Sequence, residues 1–113
     1  MFYLELNSAI ESAESDYGIS NLHWISKEIF KRVASAERMD RKLMIKDLYD
    51  LGTFPTIRVH LNKLIEQGWI ERHDSEEDKR IVHLSVAPRA RQALNAISEG
   101  LRQWYEIVGG RIS

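Results

Sequence analysis

Apolar residues recur along this chain with helical spacing in five stretches, and they alternate with polar residues in two short runs before the last helix. Tyr3, Leu6, Ile10, Ala13 and Tyr17 predict a helix over 3–17 with a narrow apolar seam, ended by Gly18. Ser20 is placed to cap a second helix carrying the stripe Leu22, Ile25, Ile29, Val33 and Ala36. Asp40 is the expected cap of a third helix reaching Leu51, with Ile45, Leu48 and Leu51 inward and Gly52 as its stop. Thr53 then caps a fourth helix, about 53–67, with Pro55 tolerated in its first turn and Gly68 closing it. Its core face is Ile57, Leu61, Leu64 and Ile65.

Past Gly68 the period changes from helical to alternating. Trp69–His73 and Arg80–Val86 read as two strands joined by a polar turn, with Val82, Leu84 and Val86 on one face. Pro88 opens a last helix, about 88–108, whose seam is Ala90, Leu94, Ile97, Leu101, Trp104 and Val108; Gly109-Gly110 is expected to break it. The fold class is therefore mainly α with a small β-hairpin (α+β). A single domain over 1–113 carries terminal helices at about 3–17 and 88–108 around a lobe at about 40–86.

The 113 residues suffice for one core but not for a core plus a catalytic lobe. Composition is that of a globular domain, 43% hydrophobic and 29% charged. No apolar run is long enough to cross a bilayer, and the pattern of the first residues leads us to expect no secretory signal. Cysteine is absent, which removes disulfides and thiolate zinc sites; the expected location is cytoplasmic. Net charge is −1, but its distribution matters more. Residues 1–17 hold Glu5, Glu11, Glu14 and Asp16 without a cation, whereas residues 27–46 hold seven Lys or Arg against three acids.

A short helix, a glycine turn, a second helix and a hairpin with a charged tip make the layout of a winged helix-turn-helix. Such a helix fits the major groove of duplex DNA, and the hairpin can reach the flanking backbone or minor groove. On the helical wheel Pro55, Thr56, Val59, Asn62 and Lys63 point away from the core, with Arg58 and His60 on the flanks and Thr53 at the entry. These residue types bond base edges and phosphates, and an outward valine can meet the methyl group of thymine. On the wing, 72–82, Arg72, Lys79 and Arg80 are candidate phosphate contacts. Asp78 shares a face with Arg80 in extended chain and can orient its guanidinium. A solvated surface with ordinary ion pairs is the alternative for all of these positions.

Catalytic motifs are missing: there is no glycine-rich phosphate loop and no serine elbow, and the chain is not expected to be an enzyme. The four histidines, His23, His60, His73 and His83, form no metal-ligand pattern, so neither metal nor cofactor is expected. His83, alternating with buried strand residues, is expected to face solvent, and Trp24, Trp69 and Trp104 are expected to pack.

The run Leu51-Gly52, then Ile57, Leu61 and Leu64, then Gly68-Trp69-Ile70-Glu71-Arg72 and Asp78-Lys79-Arg80 resembles the MarR family of bacterial regulators. The segment from Val82 to Arg91 is similar to that family's strand leading into its C-terminal helix, so the likeness spans about 43–95. It implies a dimeric DNA-binding protein, with the fourth helix in the major groove and the family's wing aspartate and arginine at Asp78 and Arg80. The chain departs from the pattern in its shorter ends, in Val59 where a polar residue is common, and in Ala87 before Pro88.

The 3-4 seams of the terminal helices must be buried somewhere. Pairing them about a two-fold axis in a homodimer would use Tyr3, Leu6, Ile10, Leu94, Ile97, Leu101, Trp104 and Val108 and space two recognition helices along DNA; packing on each other within one chain is the alternative. The expected function is a sequence-specific transcriptional regulator binding double-stranded DNA. The other reading is a winged-helix module for protein partners. A small-molecule effector has no support in the sequence.

Overall fold

The computed structural model describes residues 2–75, 77 and 82–112. In chain order these form helix α1 (Phe2–Asp16), helix α2 (Trp24–Arg38), strand β1 (Leu43–Met44), helix α3 (Phe54–Glu66), strands β2 (Ile70–Asp74) and β3 (Val82–Val86), and helix α4 (Pro88–Ile112). Two 3-10 helices, Ile19–Asn21 and Ile45–Leu51, link α1 to α2 and β1 to α3. The mainly helical class with a small antiparallel sheet, expected from the pattern of apolar positions, is what the structure shows. The chain divides into two compact units, Met1–Leu22 with Arg91–Ser113, and His23–Ala90.

In the His23–Ala90 unit, α2 is central. Its stripe Ile25, Ile29, Phe30, Val33 and Ala36 is buried, and the helix touches α3, β1 and β3. From α3, Ile57, Leu61 and Leu64 are buried, and Ile65 is only partly covered. Leu48 sits fully buried in the intervening 3-10 helix. The sheet order is β1-β3-β2, antiparallel throughout, with Leu43 and Arg72 both opposite Leu84 and Ile70 opposite Val86. Alternation puts Leu43, Ile70, Leu84 and Val86 into the core and leaves Met44, Glu71, His73, His83 and Ser85 on the other face. Phe30 and Trp69 meet edge to face at 5.3 Å, and Glu37 of α2 accepts the Val86 N–H at 3.0 Å.

Three local expectations are corrected. Asp40 does not start a helix; it ends α2. It lies in the left-handed region at φ 55, and the Asp40 and Arg41 N–H groups bond back to the Glu37 and Ala36 carbonyls. That is the bond pattern of a Schellman termination, with aspartate where glycine is usual. Residues 43–51 then form a strand and a 3-10 helix instead of an α-helix. Leu43 and Met44 find backbone partners in β3, and the Asp47 carboxylate accepts the Met44 N–H at 2.9 Å. Neither partnership leaves a periodic trace nearby. Ser20 does not cap α2; His23 does, its Nδ1 accepting the Ile25 N–H at 3.2 Å.

Gly68, by contrast, terminates α3 as expected. At φ 78, it and Trp69 bond back to the Ile65 and Leu64 carbonyls. Gly109-Gly110 does not stop α4, which runs to Ile112. No helix among the described residues is long and apolar enough to cross a membrane.

In the other unit, α1 lies beside the C-terminal part of α4. The Phe2 ring contacts Trp104 (5.7 Å, tilted) and Tyr105 (5.7 Å, edge-on). Small residues, Ser8, Ala9, Ser12 and Ala13 of α1 with Ala96 and Gly100 of α4, line an open groove of about 750 Å³. Phe2 of α1 thus packs on α4 beside seam residue Trp104, while the rest of the two seams faces the groove or lies outside it.

Leu48 links the 3-10 helix to the core and has no exposed surface. Leu48→Ala is expected to lower the unfolding free energy by about 2–5 kcal/mol, measured by urea denaturation. A loss below about 1 kcal/mol would mean that the lobe closes over the cavity.

Candidate nucleic-acid interface

The same residues that bury one side of α3 set what the other side offers. With Ile57, Leu61 and Leu64 inward, Pro55, Arg58, Val59, Asn62 and Lys63 are exposed, and Thr56 and His60 are half-buried on the rim. Val59 is 52% exposed, an apolar side chain on an otherwise polar face. Thr53 stands at the N-cap without capping; its hydroxyl instead shares a 2.9 Å hydrogen bond with that of Thr56. Pro55 falls in the first turn, where its missing N–H costs nothing.

The 3-10 helix before α3 is held to α2 by one arginine. Arg32 makes two bonds to the Asp50 carboxylate, 2.6 and 2.8 Å, and a third to the Asp47 carbonyl at 3.1 Å. The paired hydrogen bonds hold the Asp50 carboxyl below its ordinary range and the Arg32 guanidinium above its own. Across the turn the exposed rings of Tyr49 and Phe54 meet edge-on at 5.9 Å, flanking the entry to α3.

Two imidazole pairs border the unit. His60 shares a hydrogen bond with the Ser26 hydroxyl at 3.0 Å and stacks on His23 at 4.4 Å; His23 in turn lies 6.0 Å from the exposed ring of Trp24. On the outer sheet face, His73 and His83 are cross-strand partners stacked at 4.9 Å, and His73 Nε2 and the Ser85 hydroxyl are 2.6 Å apart. His83 is accordingly half-buried, not open to solvent as expected. Among the described residues no cluster of three His, Asp or Glu side chains could hold a metal ion.

Residues 25–90, more than half the chain, match the model of a family described as the winged helix DNA-binding domain. The chain belongs to that family. The fold of this winged helix protein is shared by transcriptional regulator Tm0710 from Thermotoga maritima, with a TM-score of 0.72 and 14% identity over 99% of this chain and 75% of that one. It is shared by S. aureus MepR in a complex with DNA, with a TM-score of 0.72 and 13% identity over 100% of this chain and 82% of that one. Transcriptional regulator PA4135 matches with a TM-score of 0.62 and 16% identity over 96% and 76%. Among curated proteins, none matches this sequence. The winged helix expected from the sequence is the fold found, and the family is that of a winged helix DNA-binding domain.

Within this winged helix protein the sequence-derived candidates divide by position. Thr53, Pro55, Thr56, Arg58, Val59, His60, Asn62 and Lys63 are brought together on α3. Arg72 is exposed on β2 and pairs with Asp74 two residues on, at 3.3 Å. Asp78, Lys79 and Arg80, and with them the orienting role read for Asp78, lie outside the described residues. Sequence reasoning did not select His23, Ser26, Tyr49 or Phe54. The two aromatics flanking a glycine turn were a visible signal, whereas the contact of Ser26 with His60 spans 34 positions and was not.

Burial, then the neighbouring His23 and Lys63, pushes the His60 pKa below its ordinary 6.5; burial, then His73 and Lys42, does the same to His83. An imidazole with a depressed native pKa is neutral in the folded chain where the unfolded chain already binds a proton. Stability is therefore complete above the unfolded value and lost as pH falls below it. The thermal midpoint is expected to be lower near pH 5.5 than at about pH 7.5. A scan of unfolding midpoint against pH checks this, and an unchanged midpoint would remove the two imidazoles as contributors.

Proposed function

We propose that the chain is a sequence-specific transcriptional regulator that binds duplex DNA as a homodimer. In this reading α3 enters the major groove, and the β2–β3 wing lies on the adjacent backbone or minor groove. The observation that carries it is the outward face of α3. Thr56, Val59, Asn62 and Lys63 lie on one side of a helix whose other side is anchored in the core, next to a hairpin. Asn62 and Thr56 can bond base edges, Lys63 and Arg58 can bond phosphate, and Val59 can meet a thymine methyl. A protein of the same fold, S. aureus MepR, is known in a complex with DNA.

Titration of the protein against mixed-sequence duplex at several salt concentrations tests the reading. Affinity is expected to fall steeply with salt, and Lys63→Ala to lower the logarithmic slope by about one per subunit, roughly two for the dimer. Selection from a random duplex pool is expected to return two related half-sites. Binding without a salt slope would favour the protein-docking reading, for which the exposed Tyr49 and Phe54 rings provide a surface.

The homodimer draws on exposed apolar side chains in the unit formed by α1 and the C-terminal part of α4. Tyr3, Leu4, Tyr105 and Ile107 are each more than half exposed, in addition to the partly covered Leu6, Ile10, Leu94, Leu101, Trp104 and Val108. Exposed apolar side chains gathered on these two helices are the kind of surface a partner copy can cover. Sedimentation is expected to show a dimer at micromolar concentration and a shift toward monomer for Tyr3→Glu. Tyr3 is the best target because it is 72% exposed, so its replacement leaves the chain's own packing intact. A wild-type monomer would overturn the assembly.

A further inference from the structure

His60 is tied inward on one ring nitrogen and has the other left over. Ser26, itself only 4% exposed, occupies its Nδ1 at 3.0 Å, and the His23 ring covers one face at a centroid distance of 4.4 Å. His23 is fixed in turn, because its Nδ1 accepts the Ile25 N–H. In the neutral ring the His23 proton must then sit on Nε2. Lys63 follows His60 by one turn of α3, exposed on the proposed DNA-facing side next to the rim where His60 sits. The groups that face this ring are His23 from the segment before α2, Ser26 from α2 and Lys63 from α3; the charges bearing on it are those of the two bases.

Three bases thus lie on or beside one rim of the recognition helix. Without DNA, a proton added to His60 is opposed by partial burial, then by the neighbouring His23 and Lys63. A phosphate on this rim reverses that balance, because an anion within about 4–6 Å favours the charged imidazole. We propose that His60, held by Ser26 and stacked on His23, couples DNA binding to proton uptake, a backbone phosphate being the group that draws the proton in. The inference rests on the reading of α3 as the DNA-facing helix.

The sign follows from linkage. The bound complex holds more protons than the free protein between its two pKa values, so affinity rises as pH falls through that window. One linked proton allows at most about a ten-fold gain per pH unit. This runs opposite to stability, which falls with pH for the same imidazole. Loss of fold at low pH therefore cannot imitate the effect.

The test is fluorescence anisotropy with a mixed-sequence duplex at fixed ionic strength, from about pH 8 to about pH 6. It compares the wild-type chain with His60→Gln. Wild type is expected to gain several-fold in affinity across the range, and His60→Gln to lose most of that gain. Calorimetry of the wild-type chain in two buffers of different ionisation enthalpy reads proton uptake directly and needs no variant. Salt-sensitive binding with a flat pH profile, or a gain undiminished in His60→Gln, overturns the proposal while leaving DNA binding intact. Absence of salt-sensitive binding at every pH overturns the DNA reading and this inference with it.

Discussion

The direction in which α3 presents its polar face depends on burying Ile57, Leu61 and Leu64 against the lobe built on α2. A helix has one rotation about its axis that hides such a stripe, and that rotation leaves Val59 and Asn62 outward. The stripe is buried almost completely, so turning the helix would expose side chains that each contribute roughly 1.5–3 kcal/mol when covered. Everything the outer face can do inherits its geometry from this contact.

Polar ties complete what the apolar contact leaves loose. The hydrophobic effect is non-directional and tolerates small slides between helices. Arg32 limits such a slide, gripping the Asp50 carboxylate with two nitrogens and the Asp47 carbonyl with one of them, so the 3-10 helix stays in register with α2. Ser26 does the same between α2 and α3 through His60, and Glu37 between α2 and β3 through the Val86 N–H. Each tie spans two elements, and all three start from α2. Helix α2, with no side chain among the proposed DNA contacts, holds those contacts in place.

The imidazole pairs extend this theme to charge. Both pairs consist of one ring bonded to a serine hydroxyl and a second ring stacked on it. One lies at the edge of α3 and the other on the outer face of the sheet. Neutral rings stack at no electrostatic cost, whereas two charged rings at this distance repel.

Much of this was written locally in the chain. The stripes of α2 and α3 were legible because a helix repeats its inward face every three or four residues, and Gly68 because a left-handed residue at a helix end favours glycine. The outward set from Thr53 to Lys63 followed from the same wheel, and the alternation in 82–86 marked a strand. Tertiary structure decided what periodicity does not encode. Residues 43–51 became strand and 3-10 helix because the backbone of Leu43 and Met44 found partners about forty positions away. Asp40 ended a helix that it was expected to leave behind, its hydrogen bonds pointing backward to Ala36 and Glu37. His60 acquired its ties to Ser26 and His23 only when α2 and α3 packed together. Local spacing determines which face of an element is apolar; which groups meet across elements is set by packing, and a single chain read in order carries no record of it.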